Sequence, residues 1–300
     1  MSKKNIKGPL MLLMAAAIWG FAFVAQSTAM DRVGPFTFLA SRSILGSLIL
    51  LPVIFIKDKF VKNKDDASEK QNMSKLWLGG VLCGIALAAA SCFQQFGICY
   101  TTASKSGFLT AMYILIVPVL GIFFKKKVSF KVWLCVLIAV VGMYLLCVKE
   151  GFSVNIGDVL TFICAIFFSV QIMIVDYYSP IVDGVKLSCI QFFVTAIISG
   201  ILMLIFEKPS VADIMSAWLP IAYAGICSSG VAFTLQILGQ KHTEPAIASL
   251  IMSLESVFAT IGGILILKEY PGVQEWIGIA LMFIAIMVSQ ISFKKVKNEC

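Results

Sequence analysis

Ten apolar runs follow one another along the chain, separated by short polar clusters. Each is close to the length of about 20 residues that a helix needs to cross the hydrocarbon core of a bilayer. The runs are 8–30, 35–56, 76–100, 108–124 and 130–148, then 159–178, 187–206, 218–239, 246–267 and 275–293. They are spans 1 to 10 below. Most connections are short, which predicts antiparallel hairpins between neighbours. The exception is the linker 57–75, rich in Lys, Asp and Asn, which is expected to be a mobile polar connection. The first run is long enough to span and leads into further spans, so it is read as a membrane helix and not as a cleavable signal peptide.

Composition agrees with this pattern. The chain is 59% hydrophobic and 13% charged, with a mean hydropathy of +0.94. Soluble chains carry about 25% charged residues, so too little polar surface remains for a water-facing body. The partner this implies is a lipid bilayer. A net charge of +8 would otherwise suggest nucleic acid, but the lysines cluster between apolar runs, where they report topology; no nucleic-acid partner is expected. With the N-terminus in the cytoplasm, the inner segments carry three, six, four, one, one and three basic residues, eighteen in all. The outer segments carry five: Arg32, Lys105, Lys149, Lys208 and Lys268. The excess predicts both termini inside a plasma or inner membrane.

Of the nine cysteines, all but Cys300 lie in apolar runs; there is no CxxC pair, and the sole histidine is His242. A zinc site or disulfide framework is therefore not expected, nor any other cofactor. The cysteines read as small buried apolar residues.

The two halves resemble each other. Gly8, Trp19 and Arg42 meet Gly157, Phe168 and Gln191 at a spacing of 149. Further on, because of the linker, the spacing falls to about 138, where Pro118 meets Ser256. Trp133 and Trp276 each open the last span of a half. Five spans per half is an odd number, so the second half is inverted. The loop charges agree: 125–131 is basic, and its counterpart 268–275 carries Glu269 and Glu275. The expected fold is an all-α integral membrane protein whose ten transmembrane helices form a five-plus-five inverted repeat, 8–148 and 157–293. Secondary transporters recurrently use this architecture, with the substrate site near midplane between the repeats.

Specific stretches now carry a family resemblance. They are Ala17-Ile-Trp-Gly-Phe-Ala-Phe in span 1, Gly107-Phe-Leu-Thr-Ala-Met-Tyr-Ile-Leu-Ile-Val-Pro in span 4, Ser249-Leu-Ile-Met-Ser-Leu-Glu-Ser-Val-Phe in span 9, and Lys268-Glu269. The chain resembles EamA-type members of the drug/metabolite transporter superfamily over nearly its whole length. The resemblance implies a carrier that moves a small-molecule substrate (a metabolite, amino acid or drug) by alternating access, often outward. The family's usual Leu-Glu-Pro in span 9 reads Leu254-Glu255-Ser256 here, which removes the proline that would kink that span.

Glu255 is the main candidate for chemistry. An acidic side chain near the centre of a span is costly to insert by about 3 kcal/mol or more, and typically faces protein or a cavity. On a helical wheel Leu250, Leu254, Val257, Ile261 and Leu265 form a bulky face suited to lipid, and Glu255 lies off it. It is read as a coupling site for a proton or a substrate contact, with a structural carboxyl as the alternative. Arg42, in the outer half of span 2, either snorkels to the interface or meets an anionic substrate group or a carboxylate. Gln94 and Gln95 lie deep in span 3, where amides bridge helices or read a polar ligand. Trp19, Tyr113, Gln171 and Gln236 fall at interior depths of spans 1, 4, 6 and 8, which by the resemblance surround the cavity; packing is the alternative for each. Asp176, His242 and Lys105 sit near span ends and read as interfacial, and Glu244 as a charge offsetting the dipole of span 9.

The alternative function is an intramembrane enzyme, a lipid-modifying transferase or a protease. No HExxH or GxSxG motif, no histidine cluster and no pair of intramembrane aspartates supports it, so the chain is not expected to be an enzyme, and without GxxxxGK[ST] an ATP-driven pump is not expected either.

Overall fold

The computed structural model describes residues 6–60, 66–101, 103–126, 128–147, 155–267 and 272–290. The Lys268-Glu269 motif, the side chain of Lys105 and the expected ends of spans 5 and 10 (148 and 291–293) lie outside the described residues.

The chain is an all-helical membrane protein. Among the described residues, eight helical stretches are long and apolar enough to cross a membrane: Lys7–Met30, Pro35–Phe60, Met73–Tyr100, Ser106–Phe123, Ile156–Tyr178, Gly184–Phe206, Trp218–Gln240 and Pro245–Ile266. Two shorter apolar helices, Phe130–Leu145 and Val273–Ser289, occupy the places of spans 5 and 10. Much of the linker is helical rather than irregular. Span 2 continues to Phe60 and the helix of span 3 begins at Asp66. Lys57 and Lys59 in the last turn of span 2 complement the helix dipole, so polar residues extend that span into water.

The halves interlock. Span 3 packs on spans 6 and 7, span 2 on spans 7 and 8, span 1 on spans 8 and 9, and span 5 on span 10. Two pairs of glycines bring helix backbones close together. A Cβ on Gly8 would lie 2.9 Å from the carbonyl oxygen of Gly239, and one on Gly157 would lie 2.7 Å from that of Gly97. Gly8 and Gly157 are 149 apart, Gly97 and Gly239 are 142 apart, so the two contacts are repeats of one another. Small residues let helix backbones meet where lipid supplies no hydrophobic drive for association.

The bulky face of span 9 does not meet lipid as expected. Leu250, Leu254 and Val257 are buried in one cluster with Cys135 and Val136 of span 5 and Met282 and Ala285 of span 10. The outer pair of helices covers that face, and Leu265, nearer the end of the span, is the residue left exposed.

Span 4 is divided into Ala103–Thr110 and Tyr113–Phe123, and span 9 into Pro245–Met252 and Glu255–Gly262. The start of span 9 and both sides of its break lie 142 residues after their counterparts in span 4, so the register of these spans is 142 and not the 138 read from Pro118 and Ser256. Span 9 breaks without a proline. The hydroxyls of Ser249, Ser253 and Ser256 donate to the carbonyls of Ala246, Leu250 and Ser253 at 2.8 to 3.0 Å, a back-bonding that bends helices. In span 8 the stretch Tyr223–Ala232 is π-helical, with Phe233 N donating to Ser228 O.

Candidate functional site

A cavity of about 40 Å³ lies between the halves. Span 1 contributes Trp19, Ala22, Phe23 and Gln26, spaced i, i+3, i+4 and i+7 and so on one helix face. Span 2 contributes Arg42, span 3 Gln94, span 4 Thr110 and Tyr113, and span 6 Phe168 and Ile172. Spans 8 and 9 add Ser228, Phe233, Gln236, Met252 and Glu255. Ten of these residues form five pairs related by the repeat. Trp19 and Phe23 match Phe168 and Ile172 at 149; Gln94, Thr110 and Tyr113 match Gln236, Met252 and Glu255 at 142. The cavity therefore sits on the pseudo-two-fold axis.

Tyr113 and Glu255 meet on that axis. Each is the first residue after the break in its span, so its side chain projects from the interrupted helix into the centre. Tyr113 Oη donates to Glu255 Oε1 at 2.9 Å, and both side chains are buried. Arg42 is 3% exposed, so it does not snorkel to an interface; its guanidinium lies 5.9 Å from the Phe38 ring centre. Among the described residues it forms no ion pair, and its Nε has no hydrogen-bond partner. Arg42 and Glu255 share the cavity without pairing. Trp19 packs edge-on against Phe233 at 4.8 Å, and its Nε1 also lacks a partner.

Two of the expected residues lie outside the cavity wall. Gln95 turns away from it, and its Nε2 donates to Met30 Sδ at 2.9 Å. Gln171 sits behind the wall in an amide chain, where its Nε2 donates to Gln191 Oε1 at 3.2 Å and its Oε1 accepts from Gln236 Nε2 at 3.0 Å. Gln26, Thr110, Ser228, Phe233 and Met252 line the cavity and were not singled out in the sequence. The helical spacing from Trp19 points to Gln26, and the 142 register points to Thr110 and Met252; Ser228 and Phe233 have no such signal.

A second cavity lies at one end of the bundle, lined by Pro118, Lys126, Asp176, His242, Glu244 and Pro245 among others. Lys126 and Asp176 form an ion pair there, tying the loop after span 4 to the end of span 6 and hence one half to the other.

Comparison with known proteins places this architecture. An uncharacterized transporter of Archaeoglobus fulgidus is 30% identical over 291 residues, 95% of this chain and 86% of that protein. The uncharacterized transporter YetK of Bacillus subtilis is 23% identical over 98% of this chain and 89% of its own length. A solved crystal structure with 19% identity superposes with a TM-score of 0.77, covering 94% of this chain and 96% of the other, which shows a shared fold. The model of the EamA-like transporter family matches residues 6–148 and 155–290. With ten helices in two inverted halves and a match in each, the chain belongs to the EamA-like transporter family.

Proposed function

We propose that this membrane transporter is a secondary active exporter of a small metabolite, amino acid or drug-like solute, with both termini in the cytoplasm. The observation that carries the proposal is the cavity on the pseudo-two-fold axis, crossed by the Tyr113–Glu255 hydrogen bond. Inverted repeats rock about a midplane site and expose it to each side in turn. Here the aromatic walls of Trp19, Phe168 and Phe233 suit an apolar group, and Arg42, Gln94 and Glu255 suit a polar head. Rocking would break the Lys126–Asp176 pair, which joins the two halves at the inner end.

A carboxyl in this position couples transport if it holds either a proton or a polar group of the solute, but not both. Proton entry from outside then drives solute outward. The test is reconstitution of the purified protein in liposomes with an imposed pH gradient, followed over a labelled metabolite panel. Saturable flux of a panel member, accelerated by the gradient, is the expected result. Flux that rises linearly with concentration, or none at all, would count against a carrier.

A further inference from the structure

The amide chain behind the cavity has an unfilled counterpart on the other side of the axis. Gln191, Gln171 and Gln236 lie on spans 7, 6 and 8 and are at most 1% exposed. Their repeat mates are Arg42 and Ala22 at 149 and Gln94 at 142. In the second half the Gln171 carboxamide fills the place between its two neighbours, donating to one and accepting from the other. In the first half that place holds Ala22, and Ala22, Arg42 and Gln94 all line open cavity.

We infer that the space bounded by Ala22, Arg42 and Gln94 is a carboxylate subsite, taking the substrate's carboxylate where Gln171 puts its own carboxamide in the other half. The donor and acceptor pattern selects the group. Gln191 offers Gln171 an acceptor, but Arg42 offers donors only, so an amide N–H placed there would lose its partner. Gln94 Nε2 donates to Thr110 Oγ1 at 3.2 Å and keeps a second N–H for a ligand. Arg42 can only donate and Gln94 has a spare N–H, so a ligand group that accepts from both fits the pair. A buried guanidinium with no counter-charge is costly, and Arg42, whose Nε has no partner, lines this space, where a planar carboxylate would supply the missing charge. The remaining walls, Trp19 and Phe233, meet the substrate's apolar part.

This assignment rests on the transport function proposed above, and head-group exchange separates the two. The probes are 3-phenylpropanoate, 3-phenylpropanamide and 3-phenylpropylamine, which differ only in the head group. Binding is read by titration calorimetry and by the rise in thermal unfolding temperature of the purified protein; flux is read in proteoliposomes. The expected result is at least tenfold tighter binding of the carboxylate than of the amide or the amine. Ala22→Gln, which supplies the missing carboxamide internally, should abolish carboxylate binding while Ala22→Ser retains it. Arg42→Gln turns the subsite into a copy of its mate and should reverse the preference towards the carboxamide. Equal binding of all three probes, no carboxylate binding, or an unchanged preference in Arg42→Gln overturns the subsite. Saturable flux of the amide or amine alongside any of those results leaves the transporter reading standing. Carboxylate binding without flux overturns the transporter reading instead.

Discussion

Tyr113 donates a 2.9 Å hydrogen bond to Glu255, and the two residues hold the same place in the two halves of the chain. Each starts the second segment of a broken span, 142 positions apart. The repeat thus brings a phenol and a carboxyl together on its own axis. The bond spans the interface that must move if the halves rock, so its state and the orientation of the halves are linked.

Replacing Glu255 with Gln keeps size and hydrogen-bonding capacity but removes titration. Glu255→Gln is expected to abolish transport driven by a pH gradient in proteoliposomes and to leave solute exchange largely intact. Normal pH-driven transport by this variant would end the coupling role. Tyr113→Phe removes the donor alone, at about 0.5–1.5 kcal/mol for a buried hydrogen bond, and should slow flux without abolishing its response to the gradient.

The proposed orientation predicts where a probe reaches the connection between spans 2 and 3. In a variant freed of its native cysteines, a cysteine at position 66 should react with a membrane-impermeant maleimide only after the cells are opened. Ready labelling in intact cells would invert the topology.

Span 1 packs on span 9 beside the cavity with no room to spare. A Cβ on Gly20 would lie 2.6 Å from the Phe258 carbonyl carbon and 2.7 Å from the Ala259 nitrogen. These are backbone atoms that cannot rotate away. Gly20→Ala should therefore destabilise the purified protein by about 1–3 kcal/mol, the usual cost of overpacking. Gly200→Ala, where no atom lies within 4 Å, should not. Thermal unfolding of the two variants side by side checks the contrast.

Asp183 precedes span 7 and lies outside the membrane-crossing segments. Burial pushes its carboxyl up, but hydrogen bonds from Lys57 at 2.5 Å and from the Lys186 and Val185 amides outweigh this and hold it below the ordinary value. A carboxyl lowered on folding adds stability above its unfolded value, about pH 4, which is lost as pH falls through the lower folded value. Asp183→Asn keeps the helix cap and removes the charge. The unfolding temperatures of wild type and variant should differ at neutral pH and converge below about pH 4. A constant difference down to pH 2 would place the stabilisation elsewhere.

The sequence by itself determined the ten spans, the inverted halves and the acidic residue at depth. Each is a local property: a run of apolar residues inserts according to its own composition, and a lysine cluster sets orientation wherever it stands. Even the face of span 1 that lines the cavity is visible in the spacing from Trp19 to Phe23. The tertiary structure decided which polar residues look inward. Gln94 and Gln95 are neighbours, yet one lines the cavity and the other turns to Met30. Gln171 lies at cavity depth but is held behind the wall by Gln191 and Gln236. Depth alone allowed Arg42 to reach an interface, and only its burial among packed helices keeps it at the site. Proline was the visible landmark for aligning spans 4 and 9, whereas span 9 breaks at a point marked by serine back-bonds. Membrane insertion is a free energy of single segments, so it can be read residue by residue. Helix rotation and pairing depend on contacts between side chains such as Tyr113 and Glu255, 142 positions apart, which no local pattern contains.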